Sequence, residues 1–153
     1  MLNKYAYGIP INRQLEAFKT QGLNLSKATI SFGQEVITSY FKPVAEAIRE
    51  FVANSDQWHA DETRWIVWGH EKTGSHKHWL WVFLCDQAVY FSIADTRAAV
   101  VPESVIGDEA GTLVCDRYSA YKKLANDAVS IVLAFCWAHV RRDFIDAQLG
   151  VPE

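Results

Sequence analysis

The chain has 153 residues, half of them hydrophobic and 13% aromatic, which excludes disordered and low-complexity classes and predicts one domain with at most a short helical appendage. A charged fraction of 22% and a net charge of -3 exclude a uniformly basic coat for nucleic acid, though not a local basic patch.

The first part reads as helical. Ile11 to Gln21 is a good helix former with Leu15 and Phe18 on one face, and Gly22 is a natural stop. Ser26 is placed to cap a second helix, along which Val36, Ile37, Tyr40, Phe41, Val44, Ile48, Phe51 and Val52 recur at three- and four-residue spacing. Pro43 falls inside that run and predicts a kink or a restart. The helix–Gly22–helix segment has the outline of a helix-turn-helix. Only Lys27 is basic near the start of its second helix, so packing explains it at least as well as DNA reading.

After Asn54-Ser55-Asp56 the texture changes. Trp58–Gly69 is rich in Trp, Ile and Val, as strands are, and the polar stretch His70–Lys77 with Gly74 predicts a turn. His78–Leu84 and Ala88–Ile93 follow as two strands joined through Cys85-Asp86-Gln87. A short helix is expected from Pro102 to Ile106, a strand over Thr112–Cys115 and a helix over Tyr118–Ala125. A strand over Ser130–Phe135 and a helix over Trp137–Leu149 complete the order. Three adjacent strands, then alternating helices and strands, predict a mixed α/β sheet. The expected division is a helical segment over 1–56, with six Lys/Arg and five Asp/Glu (+1), and a catalytic-type domain over 57–153, with nine and thirteen (-4).

Cys85, Cys115 and Cys136 are odd in number and widely spaced within apolar runs, which fits reduced thiols in a cytoplasmic protein. The opening residues lack a signal-peptide layout, and no apolar run approaches the roughly 18 residues of a membrane span. Trp65, Trp68, Trp79 and Trp81 lie in predicted strands, where core packing is the default role.

Two acids stand out by placement. Asp61 lies near the start of the first strand, and Asp116 at the carboxyl end of the fourth. A carboxylate in an apolar strand is costly unless something pairs with it, and a divalent cation can use two at once. Hard oxygen ligands with open water positions suit Mg²⁺ or Mn²⁺. The plainer reading makes Asp116 a helix cap and Asp61 a surface residue. Cys136-x-x-His139 is half of a zinc motif, but no second Cys/His pair lies at suitable distance. His139, Arg141 and Arg142 on the last helix, with Lys122 and Lys123 on the one before, are candidate contacts to a DNA backbone. A solvated face, with the Arg pair answered by Asp143 and Asp146, explains the last helix equally well.

The segments His59-Ala60-Asp61-Glu62-Thr63-Arg64-Trp65, Val114-Cys115-Asp116-Arg117-Tyr118-Ser119-Ala120-Tyr121 and Cys136-Trp137-Ala138-His139-Val140-Arg141-Arg142-Asp143-Phe144 resemble the transposases of the insertion-sequence-66 family. Tyr7-Gly8-Ile9-Pro10, Arg13-Gln14, Gly22 and Leu25-Ser26 are similar to the segment that precedes that family's core. The resemblance implies a ribonuclease-H-like fold and Asp-Asp-Glu chemistry, in which metal-activated water nicks DNA and the freed 3′-hydroxyl attacks a target. It matches Asp61 to the first catalytic carboxylate and Asp116 to the second, both as ligands of Mg²⁺ or Mn²⁺. It implies DNA (element ends and target) and other transposase subunits as partners, and no membrane. Glu62, pointing to the opposite face of its strand, is a weaker candidate. The family's third acid belongs on a later helix, where only Asp146 and Glu153 remain and neither has that setting. The expectation is therefore a truncated fragment, without the regions that full-length members carry ahead of this segment, that does not complete the reaction alone. The alternative is a non-catalytic remnant that binds DNA or oligomerises.

Overall fold

A computed structural model describes residues 2–68, 75–128 and 130–150. The chain divides into two compact units, Met1–Ala45 and Glu46–Glu153, with the division inside a helix.

The first unit is helical. A short α1 (Leu2–Tyr5) precedes α2 (Ile11–Thr20) and α3 (Lys27–Ala53), which runs on into the second unit. The end of α2 is set by Gly22, whose φ of 84° no β-carbon-bearing residue adopts readily. The Gly22 amide donates to Lys19 and the Leu23 amide to Phe18, closing the last turn. Ser26 caps α3 as expected, its Oγ accepting the Thr29 amide at 3.0 Å. The restart expected at Pro43 does not occur, and α3 is continuous through it. In the turn before it, Thr38 and Ser39 hydroxyls bond back to the Gln34 and Val36 carbonyls. The apolar spacing identified the helix but not its surroundings: Val36, Ile37, Tyr40, Phe41 and Val44 are exposed.

The second unit is the mixed α/β sheet. Strands β1 (Gln57–Trp68), β2 (Ser75–Leu84), β3 (Val89–Ala94), β4 (Gly111–Cys115) and β5 (Ile131–Phe135) lie in the order β3-β2-β1-β4-β5. The first three pair antiparallel, whereas β4 runs parallel to β1 and β5 parallel to β4. This is the ribonuclease-H-like arrangement expected. Helices α4 (Val100–Ile106), α5 (Ser119–Asp127) and α6 (Trp137–Leu149) complete the unit. Of the turn expected over His70–Lys77, Ser75–Lys77 instead open β2, paired with β1, and the rest, with Gly74, lies outside the described residues.

Strand alternation divides the sheet into two unlike faces. Trp58, Ala60, Trp81, Phe83, Leu113, Cys115 and Ile131 point to one face, where they form a single core with α4 and α5 through Val101, Val105, Ile106, Tyr121 and Leu124. The buried indoles keep their N–H groups satisfied, Trp58 on the Val52 carbonyl at 2.7 Å and Trp81 on the Thr96 carbonyl at 3.3 Å. Gly111 opens β4 because a β-carbon there would lie 2.7 Å from the Trp58 ring. The other face carries His59, Asp61, Val82, Phe91, Ile93, Val114 and Val132, with Phe91 61% exposed. Trp65 departs from its expected core role. It pairs with His78, beyond the residues that β3 and β4 flank, and stays exposed on a two-stranded overhang. Trp79 is partly buried and Trp81 fully so; nothing is described for the Trp68 side chain. The three cysteines are free thiols. Among the described residues no helix is long and apolar enough to cross a membrane.

Candidate active site

The pairing of β1 with β4 places the two candidate carboxylates. His59 is in register with Val114, an offset of 55 residues (114 - 59). Asp61 is two residues further along β1 and Asp116 is the first residue past β4, at the same sequence offset (116 - 61 = 55), the pairing itself ending at His59–Val114. Neighbouring strands lie about 4.8 Å apart, so both acids stand near the end of the β1–β4 pairing. Each has one oxygen already engaged locally: Asp61 Oδ1 accepts the Glu62 amide and Asp116 Oδ1 the Tyr118 amide, both at 2.9 Å.

His139, in the first turn of α6, neighbours each of them. It lines a cleft of about 320 Å³ with Asp116, Arg97 and Arg117, and a smaller hollow of about 110 Å³ with Asp61, His59 and Val114. Its Nδ1 is buried and makes no well-formed hydrogen bond among the described residues. The Cys136 thiol beside it is the main influence raising its pKa; burial opposes this, and the charges of Asp61 and Asp116 reinforce it. In return, His139 and nearby backbone amides hold the Cys136 thiol below the ordinary thiol value. Burial pushes Cys115 up to about 12, with Asp116 and Glu62 adding to it.

Glu62 points away from Asp61, as strand alternation requires, and its side chain is fully enclosed. It accepts hydrogen bonds from the Tyr121 hydroxyl and from Arg97 Nε, the latter at 2.7 Å. Burial raises its pKa even though both partners favour the charged form. Arg97 in turn lies 3.7 Å from the Tyr118 ring centroid and 4.9 Å from that of Trp79.

The sequence matches the Transposase IS66 family over residues 1–152. The chain belongs to the IS66 transposase family. Among similar proteins from Sinorhizobium fredii, y4hP is 28% identical over 95% of this chain, and y4jD is 28% identical over all of it. The chain spans 28% and 33% of the lengths of these relatives. The magnesium-bound catalytic core domain of HTLV-2 integrase, in a trimeric form, aligns with a TM-score of 0.34 at 14% identity. That alignment covers 63% of this chain and 75% of the integrase chain.

In this IS66-family chain the donor set suits a hard cation. Mg²⁺ is typically held by one or two carboxylates while keeping several waters, and Asp61 with Asp116 supplies that number. Among the described residues no group of three or more His, Cys, Asp or Glu side chains gathers around a common point. Cys136 and His139 therefore remain half of a zinc site.

The basic candidates separate. His139 faces the carboxylates, whereas Arg141 and Arg142 are exposed further along α6. Lys122 and Lys123 are exposed on α5, and Lys123 is answered by Asp127 at 3.0 Å and Glu103 at 3.5 Å. Asp143 pairs with Arg117 at 3.5 Å, across elements, not with the Arg pair of its own helix. Arg97 and Arg117 are the cations beside Asp116, and neither was singled out from the sequence. Arg117 stood in a recognised motif without an assigned role. Arg97, in the polar link after β3, carried no signal at all.

Proposed function

We propose that this chain forms the part of a DNA transposase core that brings two catalytic carboxylates together, and that it does not complete strand cleavage alone. The observation that carries this reading is that His139 lines one hollow with Asp116 and another with Asp61, the two acids standing beside the end of the β1–β4 pairing. Membership of the IS66 transposase family supports this reading, in which the reaction class is metal-dependent cleavage and strand transfer of DNA.

Asp61 and Asp116 would hold Mg²⁺ or Mn²⁺ through the oxygens left free by their local amide bonds. Bound there, the ion would lower the pKa of a water and offset charge on a phosphodiester. The protein's own part is to fix both carboxylates before the substrate arrives. His139 presents a ring biased toward its charged form beside that pair, suited to a phosphate oxygen. Arg141, Arg142, Lys122 and Lys123 are assigned to more distant backbone contacts, which position a strand without reading its sequence.

The other carboxylate that lines the cleft with Asp116, Asp143, is paired with Arg117 at 3.5 Å. Asp146 is exposed well along α6, and Glu153 lies outside the described residues. Loss of one member of a catalytic unit usually removes most of the rate. Supercoiled plasmid incubated with the chain and Mg²⁺ or Mn²⁺ should therefore remain supercoiled. Robust nicking that disappears in Asp61→Ala or Asp116→Ala would show instead that the chain holds a complete centre.

A further inference from the structure

We propose that Glu62, Arg97 and Tyr118, joined by Tyr121, form a positioning lattice that sets where Asp61 and Asp116 stand relative to one another. The proposal rests on the carboxylate-pair reading, but its first test needs no metal. Three segments distant in sequence meet in it: β1, the link between β3 and α4, and the start of α5.

The connections can be followed atom by atom. The Glu62 amide donates to Asp61 Oδ1 at 2.9 Å, fixing the first carboxylate to its neighbour. The Glu62 side chain turns to the covered face, where Oε1 accepts Arg97 and Oε2 accepts the Tyr121 hydroxyl. The Arg97 guanidinium, aimed by that bond, lies on the Tyr118 ring at 3.7 Å. The Tyr118 amide donates to Asp116 Oδ1 at 2.9 Å, fixing the second carboxylate. Among the described residues the second oxygen of each aspartate accepts no hydrogen bond. Each carboxylate is thus oriented by one oxygen and left open at the other.

The energetics argue for a role beyond packing. Enclosing the Glu62 carboxylate is costly even with Arg97, itself about one-third exposed, beside it, and apolar replacements of a buried charged group are often neutral or stabilising. Ordinary core filling therefore does not require this pair. A forked, planar cation that stacks on Tyr118 while bonding Glu62 holds an angle that a Leu–Met contact would not hold. Sequence supplies no covalent tie between Asp61 and Asp116, and the β1–β4 pairing stops at His59–Val114, short of both. The lattice extends the alignment across that gap.

The test compares wild type with Glu62→Leu/Arg97→Met, and with Arg97→Lys, which keeps the charge but loses the fork. The first readout is metal-free amide exchange at Glu62 and Tyr118. The lattice predicts exchange at least about tenfold faster at both positions in the double variant, with core amides of β2 unchanged. The second is Mn²⁺ affinity, predicted to fall about tenfold in the double variant and less in Arg97→Lys. Unchanged exchange at both amides overturns the lattice. So does faster exchange with Mn²⁺ affinity kept within twofold of a wild type that binds. If the double variant does not fold, Arg97→Lys decides by the same two readouts. Faster exchange at both amides with no Mn²⁺ binding by wild type supports the lattice and refutes the metal reading alone.

Discussion

Asp61 and Glu62 are neighbours in sequence and sit on opposite faces of one strand, each with a different task. Asp61 stands on the face that also carries His59 and Val114, opposite Val82 of β2. Glu62 is enclosed on the helix-covered face, bonded to Arg97 and Tyr121. Strand alternation alone separates two adjacent acids onto opposite faces, one open and one enclosed.

The two faces of the sheet should respond differently to substitution. Trp81 is fully buried among Phe83 and Tyr121, so Trp81→Ala should cost about 3–5 kcal/mol. Phe91 is more than half exposed, so Phe91→Ser should change stability by only about 0.5 kcal/mol. Urea unfolding of the two variants checks the contrast. Equal losses would mean that the exposed face is covered in solution.

Gly111 should tolerate no side chain. Its added β-carbon would meet the Trp58 ring, itself packed with no freedom to withdraw and bonded to the Val52 carbonyl. Gly111→Ala should lose about 1–3 kcal/mol by thermal or urea unfolding. A fully stable variant would place Trp58 elsewhere.

Much of the fold was legible in the sequence because it is written locally. Apolar runs bounded by polar turns gave all five strands, and Ser26 and Gly22 gave the helix boundaries through hydrogen bonds made within a few residues. What depends on register was not legible. The exposure of Trp65 follows from where β3 and β4 end, and the Glu62–Arg97 bond joins residues 35 apart through three paired strands. Asp61 and Asp116 were singled out as acids in apolar strands. Their equal offset from the His59–Val114 pair emerged only with the sheet.

The three thiols should label in a fixed order. The lowered Cys136, partly exposed beside His139, is the more accessible of the two lowered thiols and should react first with iodoacetamide. Cys85 is also lowered, with Ser55 and backbone amides outweighing its desolvation, but it is buried and should follow. Cys115, buried and pushed up to about 12, should react only on unfolding. His139→Ala should move the pH midpoint of Cys136 labelling upward, since it removes the group that stabilises the thiolate. Mass spectrometry of timed labelling reads all three sites, and early modification of Cys115 would contradict its assigned burial.

The central claim is that Asp61 and Asp116 together hold a divalent cation. Titration of the chain with Mn²⁺, followed by electron paramagnetic resonance of the free ion, measures this directly without requiring cleavage. One site is expected, competed by Mg²⁺, with affinity falling at least about tenfold in Asp61→Asn and again in Asp116→Asn. A wild-type chain that binds no Mn²⁺, or one whose affinity is the same in both variants, would contradict the account.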